Sequence, residues 1–290
     1  MMSRKTISKI LKPNWVIIFI FIGCTESPLD SPVKDHDELT QALDVYIDDN
    51  FVEPYNMAVR YKFKDYYINP GESTTPVSLD KVIPMLDFIK DFWIDPYFEV
   101  DNGEEFFLRF VPAEIIFLGG LIYNSNGTAT LGTADAGARI TFTNVNAFDL
   151  NDTGWRDLQL HVVYHEFAHS VHQNFKLPTG FETITPNGYS SAGSWFTIPD
   201  EEALIRGFTS AYATSSPNED FAETVSFYLF YPDFFEDFIN QEENCTTADC
   251  ENRNAGRLKI EEKMNAIVDH YQKVTGVDLN QLRDAIQSRL

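Results

Sequence analysis

Cysteine is scarce in this 290-residue chain, limited to Cys24, Cys245 and Cys250. A disulfide-dense scaffold is therefore excluded, and two cysteines close together cannot complete a four-ligand structural zinc site without other ligands nearby. Basic residues are also few, 22 against 44 acidic ones, for a formal net charge of −22. A surface of that sign repels phosphate backbones, which argues against nucleic acid as a partner. There is no G-x-S-x-G and no Walker A sequence, so serine-hydrolase and P-loop readings have no foothold. No internal repeat is visible. What is present is ample apolar material, 43% hydrophobic and 14% aromatic, enough for one sizeable core.

The N-terminus reads as a leader. Arg4, Lys5, Lys9 and Lys12 precede an unbroken apolar run from Trp15 to Ile22. A bilayer span needs roughly 20 residues, so this run is a signal-peptide core instead. It ends in Phe21-Ile22-Gly23-Cys24, and a Gly-Cys pair at that point resembles a bacterial lipobox, with Cys24 as the lipidated new N-terminus. A generic signal peptide with an incidental cysteine is the alternative. Residues 24–37 are polar, acidic and Pro-containing, as a tether would be. With Cys24 lipidated, Cys245 and Cys250 are left to close a short local disulfide in an oxidising compartment.

From residue 38 to 290 the pattern predicts one α+β domain, a mixed half with a sheet (38–156) followed by a helical half (157–290). Helical spacing runs from Glu38 to Asp49 and from Val77 to Trp93, the latter complicated by Pro84. Met57–Phe63 alternates like a strand, Glu105–Leu118 reads as one or two apolar strands, and Arg139–Asn144 is a β-branched strand. Further helices are expected over Asp157–Phe175, Glu201–Ala213, Glu219–Phe230 and Arg257–Arg289. Leu177–Pro199 and Asp233–Asn254 read as loops.

The chemistry concentrates in His165-Glu166-Phe167-Ala168-His169. Two histidines at i and i+4 lie one above the other on a helix face and suit two tetrahedral positions on one Zn²⁺. Glu166 then stands beside the metal, placed to take a proton from water. A metzincin would need histidine six residues after His169 and glycine three after it; Phe175 and His172 stand there, which excludes that subclass. A glutamate on a later helix is the other common third ligand. Glu219 and Glu223 share a helix face, so one can bind metal while the other accepts the N–H of a ligand histidine. His161 and His172 cannot both join ligands from their own helix around one ion and read as packed or supporting residues. His36 and His270 read as solvated or structural, and the aromatic cluster from Phe227 to Phe235 as core and lid packing.

The Gly-Cys leader, the His-Glu-x-x-His pair and Glu219-Asp-Phe-Ala-Glu223 together resemble the gluzincin-type zinc metallohydrolase lipoproteins of Bacteroidetes that are associated with substrate import. Asn50-Phe51, Pro54-Tyr55-Asn56, Leu131-Gly-Thr-Ala and Gly207-Phe208 extend the similarity over most of the mature chain. The active-site pattern is also similar to the catalytic domain of anthrax lethal factor, where a tyrosine seven residues before the glutamate ligand stabilises the transition state; Tyr212 has that spacing here. The resemblance implies a zincin-like fold with one Zn²⁺ per chain held by His165, His169 and Glu219. Glu166 would be the general base, Tyr212 a donor to the oxyanion, and Glu223 a support. It further implies a peptide or glycopeptide substrate, an outer-membrane location, surface-exposed, and an importer complex as partner. Glu26 and Asp30, soon after Cys24, fit surface export. The rival reading is a scaffold lipoprotein of the same uptake system with a structural zinc. An extended substrate backbone is expected to add to the strand at Arg139–Asn144.

Overall fold

The structure is a computed structural model that describes residues 33–123, 129–130, 132–134, 138–191 and 193–290. Cys24 and the leader lie outside the described residues. The first half contains α1 (Val33–Ile47), α2 (Glu53–Tyr55), β1 (Ala58–Arg60), α3 (Leu79–Ile89), α4 (Asp95–Phe98), α5 (Gly103–Phe110), β2 (Glu114–Phe117), β3 (Ile122–Tyr123), β4 (Ala129–Thr130), β5 (Gly132–Ala134) and β6 (Arg139–Phe142). The second half is helical: α6 (Thr153–Phe175), α7 (Asp200–Arg206), α8 (Pro217–Phe230), α9 (Phe234–Phe238), α10 (Ala248–Thr275) and α11 (Leu279–Gln287). The expected α+β class holds, with helices in the majority and a small sheet.

Four strands run in the order β1-β2-β6-β5. The first three are parallel and β5 is antiparallel to β6. The unbroken apolar run at Ile115–Leu118 follows from a sheet covered on both faces. Ile115 and Phe117 enter the main core, while Ile116 and Leu118 point the other way into a small cluster with Ile122. Because β6 is bonded to β2 on one side and β5 on the other, it has no free edge. Strand addition of a substrate at Arg139–Asn144 is thereby overturned, and the edges of this sheet are β1 and β5.

Three local readings also change. Gly103–Phe110 is a helix, because Phe106, Phe107 and Phe110 fall on one packed face while Leu108 is left exposed. The helix expected over Glu201–Ala213 stops at Arg206, where Gly207 adopts φ 96°, a conformation glycine takes without strain. The Asp233–Asn254 insertion contains α9 and the first turns of α10. At Gly256 in α10 a Cβ would sit 1.9 Å from the Leu204 carbonyl oxygen, so only glycine lets α10 approach α7 this closely.

Cys245 and Cys250 are joined as a disulfide with Cα atoms 5.5 Å apart. It closes a loop of sequence separation 5, so loop-closure entropy limits its contribution to about 2 kcal/mol. Reduction by dithiothreitol is expected to lower the unfolding free energy, read from urea denaturation, by no more than that amount. A loss beyond about 4 kcal/mol would show that the bridge holds more than its own loop.

α6 is anchored along its length. Asp152 caps its N-terminus by accepting from Trp155 N at 3.2 Å. Trp155 Nε1 donates to the Asn144 carbonyl at 2.9 Å and Gln159 Nε2 to that of Thr143 at 3.1 Å, which fixes α6 to the end of β6. Phe167 sits in a socket of Trp93, Tyr97, Phe106 and Phe107, with ring centroids 5.3–5.5 Å away. The opposite face carries the histidines and meets α8.

α8 starts at a Ser216 cap followed by Pro217 at the first helical position. At its other end Arg283 donates to the carbonyl of Tyr228 in the last turn and, just past the helix, to those of Tyr231 and Pro232 at 3.2 Å. Both ends being held, the acidic residues of its first two turns have a fixed register against α6.

Candidate metal centre

α6 and α8 bring together the residues singled out by the sequence. His165 Nε2 and His169 Nε2 are 3.0 Å apart. Glu219 Oε2 lies 3.1 Å from the first and 3.3 Å from the second. Three donor atoms thus form a triangle with edges of 3.0–3.3 Å. A tetrahedral ion with bonds of 2.0–2.1 Å would separate its ligands by about 3.3 Å. Glu166 has a carboxylate oxygen within 4.8 Å of ring nitrogens on His165 and His169.

The other nitrogen of each imidazole is engaged behind the triangle. His165 Nδ1 is 2.7 Å from Glu223 Oε1, a carboxylate only 2% exposed. The same oxygen is 3.0 Å from His161 Nε2, and Ser210 Oγ donates to the second oxygen at 2.5 Å. His169 Nδ1 is 2.6 Å from His172 Nε2. Burial, with His169 beside it, pushes the His172 imidazole down to about 4. A neutral His172 accepts the Nδ1 proton of His169, while Glu223 Oε1 lies close to the Nδ1 of His165 without well-directed hydrogen-bond geometry. Both Nε2 lone pairs are then turned toward each other and toward Glu219 Oε2, an arrangement that repels unless a cation lies between them.

Glu219 Oε2 gives a second indication. It is buried and receives no well-directed hydrogen bond despite its two imidazole neighbours. Burial would raise the Glu219 carboxyl, but the His165 and His169 rings outweigh that and hold it at about 2. His165, lowered by burial and raised further by Glu219 and Glu223, ends at about 10. The two shifts are two sides of one pairing: without an ion, protons on the imidazoles stand where a cation would balance Glu219 and Glu223. Two imidazole nitrogens and a carboxylate oxygen are also a donor set that suits Zn²⁺. The residues present fit the ion.

A second group of metal-competent side chains, His161, His165 and Glu223, lies within 4.8 Å of one another. Its short contacts set two ring nitrogens, His161 Nε2 at 3.0 Å and His165 Nδ1 at 2.7 Å, against one buried carboxylate oxygen. A metal there would take the Nδ1 of His165 and leave its Nε2 protonated against Glu219. The Nε2 triangle is the better centre.

Tyr212 lies across the opening, its ring 5.9 Å from that of His165 and 5.0 Å from that of Trp195. Burial, then Glu219, raises its hydroxyl well above the ordinary phenol value. It therefore remains a protonated donor at every physiological pH. Glu166 is also raised, first by burial. His270 stands apart, its ring against the Lys176 carbonyl. The roles of Ser210 and Trp195 were not legible in the sequence, because no periodicity marks a single serine or tryptophan in a loop.

A search of the curated proteins finds no match. Among solved structures, the chain is similar to a "putative zinc-binding metallo-peptidase" from Bacteroides caccae, at 26% identity and a TM-score of 0.70. The similarity covers 87% of this chain and 93% of that one. The family model described as "Putative zinc-binding metallo-peptidase" matches residues 36–280, which span α6, α8 and every donor of the triangle. On that match the chain belongs to this zinc-binding metallopeptidase family.

Proposed function

We propose that the protein is a gluzincin-type peptidase that holds one Zn²⁺ per chain on His165, His169 and Glu219. The observation that carries this reading is the triangle of Nε2, Nε2 and Oε2 atoms with both Nδ1 positions already engaged. The ion supplies Lewis-acid polarisation of the scissile carbonyl and acidifies a water molecule. Glu166 removes the proton from the attacking water and delivers it to the departing amine. Tyr212 donates to the oxygen that gains negative charge as the carbonyl is attacked. Glu223 holds the His165 ring in its tautomer, and His172 does the same for His169.

In the same reading the mature protein is a lipoprotein anchored through Cys24 to the outer membrane, exposed at the surface. It trims peptides or glycopeptides for an importer of nutrients. The supports are the Phe21-Ile22-Gly23-Cys24 leader, the acidic residues after it, and the resemblance to import-associated lipoproteins. The expected result of Glu219→Ala is loss of zinc from the purified protein by elemental analysis, together with loss of cleavage on a proteome-derived peptide library. A variant that still binds one equivalent of zinc at wild-type affinity would remove Glu219 from the ligand set.

A further inference from the structure

The metal triangle has an apolar hollow on one flank. A pocket of about 380 Å³ opens beside Tyr212, His161 and Glu223. Its walls are Leu158, Trp195, Phe227 and Phe230, drawn from α6, α8 and the loop between them, with Asp157 and Asp200 contributing carboxylates. Among the described residues, no lysine or arginine lines it. Phe227 lies against the His161 ring at 5.1 Å, and Trp195 lies against Tyr212 at 5.0 Å. The pocket is therefore continuous with the groups that would handle the scissile bond, through the same side chains.

An aromatic-walled hollow of this size matches one large apolar side chain. Half-buried Phe227 and Trp195 would gain burial when such a group enters. A carboxylate entering there meets Asp157, Asp200 and Glu223, and the one basic ring among the described lining residues, His161, already faces Glu223 at 3.0 Å, so like charges disfavour it. The opposite flank, by His172, differs: Lys176, Thr179, Glu182 and Asn218 line a polar pocket. The two flanks thus sort substrate side chains by polarity.

We infer that this pocket selects substrates carrying a bulky apolar or aromatic side chain next to the cleaved bond and rejects those with an acidic one, an inference that rests on the proposed peptidase reading. Gly154 offers a direct handle. It lines the pocket, and a Cβ built there meets only Asp152 Oδ1, at 3.3 Å. Gly154→Leu therefore occupies the hollow from a helical position outside the metal centre, and gains helix propensity as it does so.

The test uses the zinc-loaded protein and peptide hydroxamates that differ in one side chain: glycine, leucine, phenylalanine or aspartate. Calorimetric binding needs no turnover. The leucine and phenylalanine compounds are expected to bind at least about tenfold more tightly than the glycine compound, and the aspartate compound no more tightly than glycine. Gly154→Leu is expected to erase the phenylalanine advantage while leaving zinc content and glycine-compound affinity unchanged. Should that variant fail to fold, Phe227→Ala, which removes one wall, is expected to shrink the same advantage. A flat series, or an advantage untouched by both variants, overturns the inference. Graded hydroxamate binding without cleavage of any peptide would leave the pocket standing and sink the peptidase reading; cleavage with a flat series would do the reverse.

Discussion

Glu166→Gln is expected to keep one zinc per chain and to lower kcat about a thousandfold, with little change in KM. Glutamine preserves the shape of the side chain and its place on α6 but cannot accept a proton. The proposed zinc donors, His165, His169 and Glu219, do not depend on it. In the wild type, burial raises the Glu166 carboxyl above the ordinary range, which brings its proton affinity closer to that of the water it must deprotonate. The measurement pairs elemental analysis with steady-state kinetics on any peptide the wild type cleaves. A fall in kcat below tenfold would place the base elsewhere, since the remaining nearby carboxylate, Glu223, is already committed to His161, His165 and Ser210. Zinc retained with no Glu166-dependent turnover on any peptide would instead favour a scaffold that keeps its ion for structure.

The metal centre was readable from the sequence to the extent that it depends on helical periodicity. His165 and His169 are one turn apart on α6, and so are Glu219 and Glu223 on α8. Each pair presents a face whatever the rest of the fold does, although α8, expected from Glu219, begins at Pro217 behind the Ser216 cap. The division of labour between the two glutamates depended on the tertiary register of α8 against α6, which spacing leaves open. The structure puts Glu219 against both Nε2 atoms and Glu223 behind His165. The partner of His169 is His172, a residue three positions away that periodicity alone could not separate from a packed histidine.

The misread elements failed for a shared reason. Glu104-Glu105-Phe106-Phe107-Leu108-Arg109-Phe110 has apolar residues at both strand and helix spacings, and burial by Trp93, Tyr97 and Phe167 decides for the helix. Arg139–Phe142 was identified as a strand, but its place inside the sheet depends on β2 and β5, which are distant or short in sequence. Gly207 interrupts an amphipathic pattern that otherwise continues, and its effect depends on φ rather than on composition. Local propensity named the pieces; partners chosen over long distances settled their type and edges.

Lys263→Met is expected to destabilise the fold by about 3–5 kcal/mol, measured by urea denaturation of the metal-free protein. Lys263 Nζ is 2.7 Å from Asp220 Oδ2, and both side chains are wholly buried. The ammonium also donates to the Gly207 carbonyl at 2.6 Å and lies 3.7 Å from the centre of the Phe208 ring. Methionine keeps the aliphatic stem against that ring but leaves Asp220 with Tyr189 as its only donor among the described residues, at 2.9 Å. Burial already raises the Asp220 carboxyl to about 6 in spite of Lys263, so removing the cation leaves a carboxyl that must be neutral or unstable. Replacing both partners by apolar residues, Lys263→Met with Asp220→Leu, is expected to recover much of the loss, because a buried pair is costly to break and cheap to substitute whole. The position of the pair explains why charge is kept there at all. Asp220 follows Glu219 directly in α8, and the Gly207 carbonyl begins the segment that carries Ser210 and Tyr212. One ammonium thus ties Glu219, the Ser210 that supports Glu223, and Tyr212, the proposed zinc and oxyanion groups among them, to α10. The single variant should therefore release zinc faster than wild type as well as unfold more easily, whereas a double variant as unstable as the single one would assign the whole cost to packing.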